Sequence, residues 1–331
     1  MIKRWIIAAA YGKMLVRVIL FCALSCFTLE NATNLYSVRS ILTIYGVIIL
    51  KANKLYCRLE EDFISEGLTD VWTKYMGEVT KYISDNFKER DMGVVCDFAE
   101  EINGVYSAVF PTDEIMKRLI ENEVTDAMLF VHHPAVWDIR KKPNFSQMNP
   151  ALLESFKKNR ISIYNLHTPL DNYGDYSTSK SLANALEIEV EKPFSKYNGG
   201  LLGVIGHTSC KTVYELNDIF SKAVGHNTKL YLYGNTDIEN GRVAIAAGGS
   251  NVVEAVSEAL ENNVNVFITG ITACDEKSFN VHKFEEENHV NVLGGTHYST
   301  EKFACIRICD YFKKIGIAST FIEDKAIMED M

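Results

Sequence analysis

From about residue 74 onwards, short apolar runs alternate with stretches in which apolar positions recur every three or four residues. Alternating strand-like and helix-like segments predict an α/β fold with mainly parallel sheets flanked by helices, because a parallel pair needs a crossover and a helix usually supplies it. The helical stretches are 114–122, 151–159, 179–186, 213–224, 252–262, 279–287 and 300–315, and the strands are 127–131, 161–166, 201–205, 229–233, 242–246, 264–269 and 290–293. Gly316 follows the last helix, where a left-handed cap is expected. Residues 191–200 contain Pro193 and Gly199-Gly200 and read as a linker between two lobes, 75–192 and 193–331.

The chain has 331 residues, 47% of them hydrophobic and 23% charged, which suits a globular protein with a sizeable core and excludes disorder, collagen-like repeats and a disulfide miniprotein. The formal charge of −9 repels a phosphate backbone, so no nucleic-acid partner is expected. That charge is uneven: Lys3, Arg4, Lys13, Arg17, Arg39, Lys51 and Lys54 against Glu30 alone make residues 1–56 +6, leaving −15 for the rest. Residues 1–74 therefore read as an N-terminal extension outside the main fold, with poor packing expected for 1–56. Within it, 14–28 is mostly apolar after a basic start but is interrupted by Arg17, and 41–50 is too short to span a bilayer alone. A cleaved signal, a weak anchor and upstream sequence read from an early start codon all fit. The last is favoured, and a membrane partner is expected only if the segment is retained as an anchor.

The eight cysteines form no CxxC pair, which points to reduced thiols and a cytoplasmic protein. Cys305 and Cys309 lie four apart on a helix beside Phe303, Ile306 and Phe312, a setting that favours packing over metal binding.

Three polar clusters each directly follow a strand. In His132-His133-Pro134 the proline biases His133 towards extended backbone, so successive side chains diverge and two imidazoles can serve two ions. Alone, the doublet also fits a surface or capping role. His167-Thr168-Pro169-Leu170-Asp171 offers imidazole nitrogen and carboxylate oxygen, a mixture that suits a divalent ion, although a turn in which Asp171 satisfies backbone donors fits equally. In Gly294-Gly295-Thr296-His297-Tyr298-Ser299-Thr300-Glu301, His297 and Glu301 stand four apart and project from one side of a helix. A carboxylate favoured at a helix start would explain Glu301 but not His297.

Open α/β sheets gather ligands outside the carboxyl ends of their strands, the position all three clusters occupy. Five side chains, His132, His133, Asp171, His297 and Glu301, exceed the needs of one four-coordinate ion and suit two ions bridged by a carboxylate. Zinc, iron and manganese all accept such nitrogen and oxygen donors. Gly248-Gly249-Ser250 before a helix offers backbone donors to a phosphate but lacks a P-loop ending. His207, His226, His282 and His289 read as surface or packing residues, and Cys274 has no paired histidine to make it a nucleophile.

HHPAVWD, NLHTPLD and GGTHYSTE in this order resemble the motifs of the Nif-three-like dinuclear metal centre family, the GTP cyclohydrolase 1 type 2 homologues. The likeness covers about residues 75–318 and includes GVIG at 203–206, AAGGSN at 246–251 and VFITG at 266–270. It implies a two-lobed α/β subunit in a toroidal hexamer, with His133 and Asp171 holding one metal, His132 and His297 a second, Glu301 bridging both and His167 lining the site. Family members commonly follow ITG with an acidic residue and a histidine, where this chain has Ile271 and Asp275.

The function that follows is a two-metal hydrolase of a small nucleotide-like or phosphate-bearing molecule, with His167 as the catalytic residue that relays a proton or positions a water. The alternatives are a protein that stores or delivers iron or zinc without turnover, and an oligomeric scaffold whose metals are structural.

Overall fold

The segments rich in buried Val, Ile and Phe pair into two sheets. The first runs Ser319–Phe321, Val105–Ala108, Ala127–Val131, Ile161–Asn165, Gly93–Cys96, and only the last of these is antiparallel to its neighbour. Its central strands Ala127–Val131 and Ile161–Asn165 are buried throughout, as strands covered on both faces must be. The second runs Lys229–Tyr231, Asn291–Gly294, Val266–Thr269, Arg242–Ala246, Gly200–His207, Glu189–Tyr197. Its parallel centre of three strands is flanked by antiparallel ones. The computed structural model describes residues 50–274 and 278–331. The expectations for a signal, an anchor or an early start within 1–49 lie outside these residues. Among the described residues no helix is long and apolar enough to cross a membrane.

Two boundaries differ from the sequence expectation. Residues 191–200 are not a linker but most of the strand Glu189–Tyr197 and its turn into Gly200–His207. The strand lies at the sheet edge and is largely exposed, and an edge accommodates Pro193 because its missing N–H costs no ladder bond. The proposed break at 192/193 thus falls inside a strand, and Ser319–Phe321 carries the end of the chain back to the first sheet.

The second correction concerns the extension, because the fold takes in residues 50–74. Leu50 and Lys51 pair with Ile102 and Glu101, and the helix α1 (Ala52–Phe63) follows. Its Leu55, Tyr56 and Leu59 share a core with Leu166, Ile308 and Phe312. Basic and acidic residues on the outer face of α1 masked an apolar stripe at helical spacing. Leu59 is fully buried, so Leu59→Ala removes its side chain from the first core and should destabilise the protein by about 2–5 kcal/mol, measured by urea unfolding. A residue in a dispensable extension would show no change.

The helix that matters most is α2 (His297–Lys314), three residues longer at its start than the periodicity indicates. Thr296 and Ser299 cap it reciprocally, each side chain accepting the other's backbone N–H. Phe303 packs on the core of the second sheet, whereas Ile308 and Phe312 belong to that of the first. One helix therefore joins the two cores. Cys305 and Cys309 donate their thiols to the carbonyls of Ala108 and Cys305, which is packing, as expected.

Candidate metal centre

His132 and His133 emerge from the end of the buried strand Ala127–Val131, held by N–H donation to the carbonyls of Ala108 and Val109. Nδ1 of His132 lies 3.0 Å from the Leu166 carbonyl. A carbonyl can only accept, so Nδ1 donates, and Nε2 points the other way. That atom lies 3.4 Å from Asp171 Oδ1 and 3.5 Å from Glu301 Oε1, and has no hydrogen-bond partner. Asp171 closes the short turn Thr168–Asp171, where the Thr178 hydroxyl donates to its Oδ1 at 2.9 Å.

Glu301 sits one turn along α2 from His297, and no acidic residue occupies the first turn of that helix. Attraction to the helix start therefore does not account for it. Its Oε1 lies 3.3 Å from His297 Nε2, and its Oε2 lies 2.9 Å from His133 Nε2. All five residues expected as metal ligands are buried and converge here. Among the described residues three overlapping groups have donor atoms within 4.8 Å of one another: His133, His297 and Glu301; His132, Asp171 and Glu301; and His132, His133 and His167. In these groups Asp171 stands with His132 and His297 with His133, whereas the resemblance implies His133 with Asp171 and His132 with His297. Neighbouring side chains on extended backbone diverge, and here His132 turns to the 167–171 turn and His133 to α2. Glu301 belongs to two of these groups, as do His132 and His133.

Burial and the close packing of imidazoles and carboxylates shift the titrating groups in opposite directions. Burial disfavours the charged form of His132, yet the carboxylates of Asp171 and Glu301 outweigh it and hold the imidazole well above its ordinary pKa. His133 is pushed well below by burial, which Glu301 only partly offsets. Burial opposes ionisation of Glu301, but the three surrounding histidines hold its carboxyl well below the usual range. Buried imidazole nitrogens gathered around carboxylates are the donor types of a divalent cation, and the residues fit one.

The remaining expected residues divide cleanly. His167 lines a cavity of about 360 Å³ beside the cluster, together with Trp72, Tyr75, Phe145, Tyr197 and Ser250. The Gly248-Gly249-Ser250 loop borders the same space, but the Ser250 hydroxyl already donates to Ala247 O. Ile271 is part of the wall, and Asp275 lies outside the described residues. His207, His226, His282 and His289 stay apart from the cluster, paired with Glu191, Asn227, Glu285 and Tyr233 respectively.

Four residues of the site were not anticipated. Asp70 meets Nδ1 of His167 at 2.9 Å, and Trp72 stands edge-on to His167 with ring centres 4.7 Å apart. Both lie in the segment assigned to the extension, where the apolar spacing of Leu55, Leu59 and Phe63 was the available signal. Trp137 stands edge-on to His297, and its indole N–H donates to Asp330, whose other oxygen accepts the His297 N–H at 2.9 Å. No local pattern marks Asp330, which reaches the site only through the fold.

The sequence pattern of DUF34/NIF3 (NGG1p interacting factor 3) matches residues 78–326. A GTP cyclohydrolase 1 type 2 homolog of Borreliella burgdorferi is 28% identical over 211 residues, 63% of this chain and 79% of that protein. The homolog of the same name from Pyrococcus horikoshii is 26% identical over 239 residues, 70% of this chain and 88% of that one. Among solved structures, protein ybgI, titled as of unknown function, superposes with a TM-score of 0.65 at 19% identity, covering 83% of this chain and 99% of that one. Reduced HcgD from Methanocaldococcus jannaschii gives a TM-score of 0.58 at 20% identity over 84% and 100%. These two likenesses show the fold.

Proposed function

Because the chain belongs to the DUF34/NIF3 family, we propose that its buried cluster holds two divalent cations, zinc, iron or manganese, and hydrolyses a small nucleotide-like or phosphate-bearing molecule. The observation that carries this is Glu301, whose two oxygens face three imidazole nitrogens and which belongs to the two donor groups that contain a carboxylate. One cation would be held by His132, Asp171 and Glu301 and the other by His133, His297 and Glu301. Such a pair lowers the pKa of a water and polarises the scissile group.

The chain's own residues supply the rest. The rings of Trp72, Trp137 and Phe145 pack edge-on or stacked against the ligand histidines and keep bulk water from them. His167 faces the cavity as the catalytic residue and receives the proton at Nε2. Lys74 at the cavity wall offers a positive charge to an anionic substrate. The names of the two curated relatives agree with a nucleotide as substrate. The same proposal takes the protein as a cytoplasmic homo-oligomer, a hexamer by family resemblance.

The test is to purify the chain, quantify its metals, and assay it against GTP and a panel of nucleotides and phosphoesters. About two equivalents of metal together with turnover supports the proposal. Metal without turnover on any panel member, together with transfer to an apo-acceptor, overturns the hydrolase in favour of a carrier.

A further inference from the structure

We infer that Asp70 is a positioning residue whose carboxylate fixes the tautomer of His167, so that the imidazole presents an unprotonated Nε2 to the cluster. Asp70 lies before the residues that match the family, 78–326, so this part of the site is supplied by sequence outside them. Both oxygens of Asp70 reach His167 Nδ1, at 2.9 and 3.1 Å, and both side chains are buried. His167 Nδ1 and the Thr168 N–H both converge on the Asp70 carboxylate, as on an ionised acceptor. An ionised carboxylate only accepts hydrogen bonds, so Nδ1 must carry the proton. The opposite nitrogen, Nε2, lies 3.5 Å from Asp171 Oδ2, too far for a normal hydrogen bond and close enough to meet whatever reacts beside Asp171. Trp72, edge-on to His167 at 90°, fixes the plane of the ring.

Asp70 also accepts the Thr168 N–H at 3.1 Å, which would suit a purely structural tie. Asp70→Asn separates the two roles. Its Oδ1 still accepts that amide, whereas its NH₂ group has to donate and favours a His167 with the lone pair on Nδ1 and the proton on Nε2.

The effect on turnover rests on the proposed role of His167, but the tautomer does not depend on any activity. The experiment uses the full chain labelled with ¹⁵N-histidine and loaded with zinc. Long-range ¹H–¹⁵N correlation identifies His167 by the signals lost in His167→Gln. Expected are a protonated Nδ1 and an unprotonated Nε2 in the wild type, and the reverse in Asp70→Asn with zinc content unchanged. Where a panel nucleotide is turned over, kcat should fall on the order of 10²-fold in Asp70→Asn with KM nearly constant, and Asp70→Glu should recover part of it. A protonated Nε2 in the wild type overturns the inference even if the variant fails to fold, as does an unchanged tautomer in a folded Asp70→Asn. Absence of turnover in the wild type would instead count against the hydrolase and leave the tautomer to decide on Asp70.

Discussion

Glu301→Gln is expected to empty both cation positions while the fold persists. The amide keeps the shape of the side chain but loses the charge that three histidines surround, and it offers one accepting oxygen where two are shared. Loss of an outer partner of a metal ligand already costs about 10- to 100-fold in affinity. Removal of the carboxylate that faces three imidazoles should cost more, so metal content after dialysis should drop from about two equivalents to near zero. Elemental analysis measures it, with circular dichroism as the check on folding. A folded Glu301→Gln that retained both equivalents would reduce the cluster to hydrogen-bonded packing.

Gly248→Ala should do comparable damage from the opposite side. Gly248 has φ +72°, a left-handed conformation that costs an L-residue about 1–2 kcal/mol, and a Cβ built there overlaps Glu301 Oε1. The loop cannot retreat, because the Gly248 carbonyl accepts from the amides of Gly270 and Ile271 and its own N–H donates to Thr300. Strain and overpacking together predict a loss of roughly 2–5 kcal/mol, with Glu301 displaced and metal content reduced. Gly249→Ala is the control: its Cβ would meet only the tip of Ile271, at 3.3 Å, and both stability and metal content should stay near the wild type. Identical thermal midpoints for the two variants would mean that Glu301 is not held where the structure puts it.

The centre of the fold and the residues that converge on the candidate site could be read from the chain because both are local signals. The strand Ala127–Val131 and the helices Val213–Val224 and Phe279–Glu287 coincide with the periodicity, and each ligand cluster follows directly on a strand. What escaped was non-local. The charge imbalance of the first 56 residues is real, but charge sits on the outer face of Ala52–Phe63 and says nothing about the apolar stripe beneath. Pro193 signalled a break because an edge strand differs from a loop only in what lies beside it. Asp70 and Asp330 reach the centre across 97 residues to His167 and 33 to His297, distances over which spacing carries no information. Which candidate donors stand together was equally hidden, since it depends on which way each ring of the His132-His133 pair turns.

The ligand cluster draws on three stretches of chain, and one of them begins the helix that spans both cores. Any cation seated there thus doubles as a removable cross-link closing a loop from His133 to Glu301, 168 positions apart. Mass action then couples persistence to supply: free cation at a hundred times its dissociation constant adds about 2.7 kcal/mol to the folded state. Copies made during scarcity would unfold more often and be cleared sooner by proteolysis, so abundance in the cell would track the ion itself.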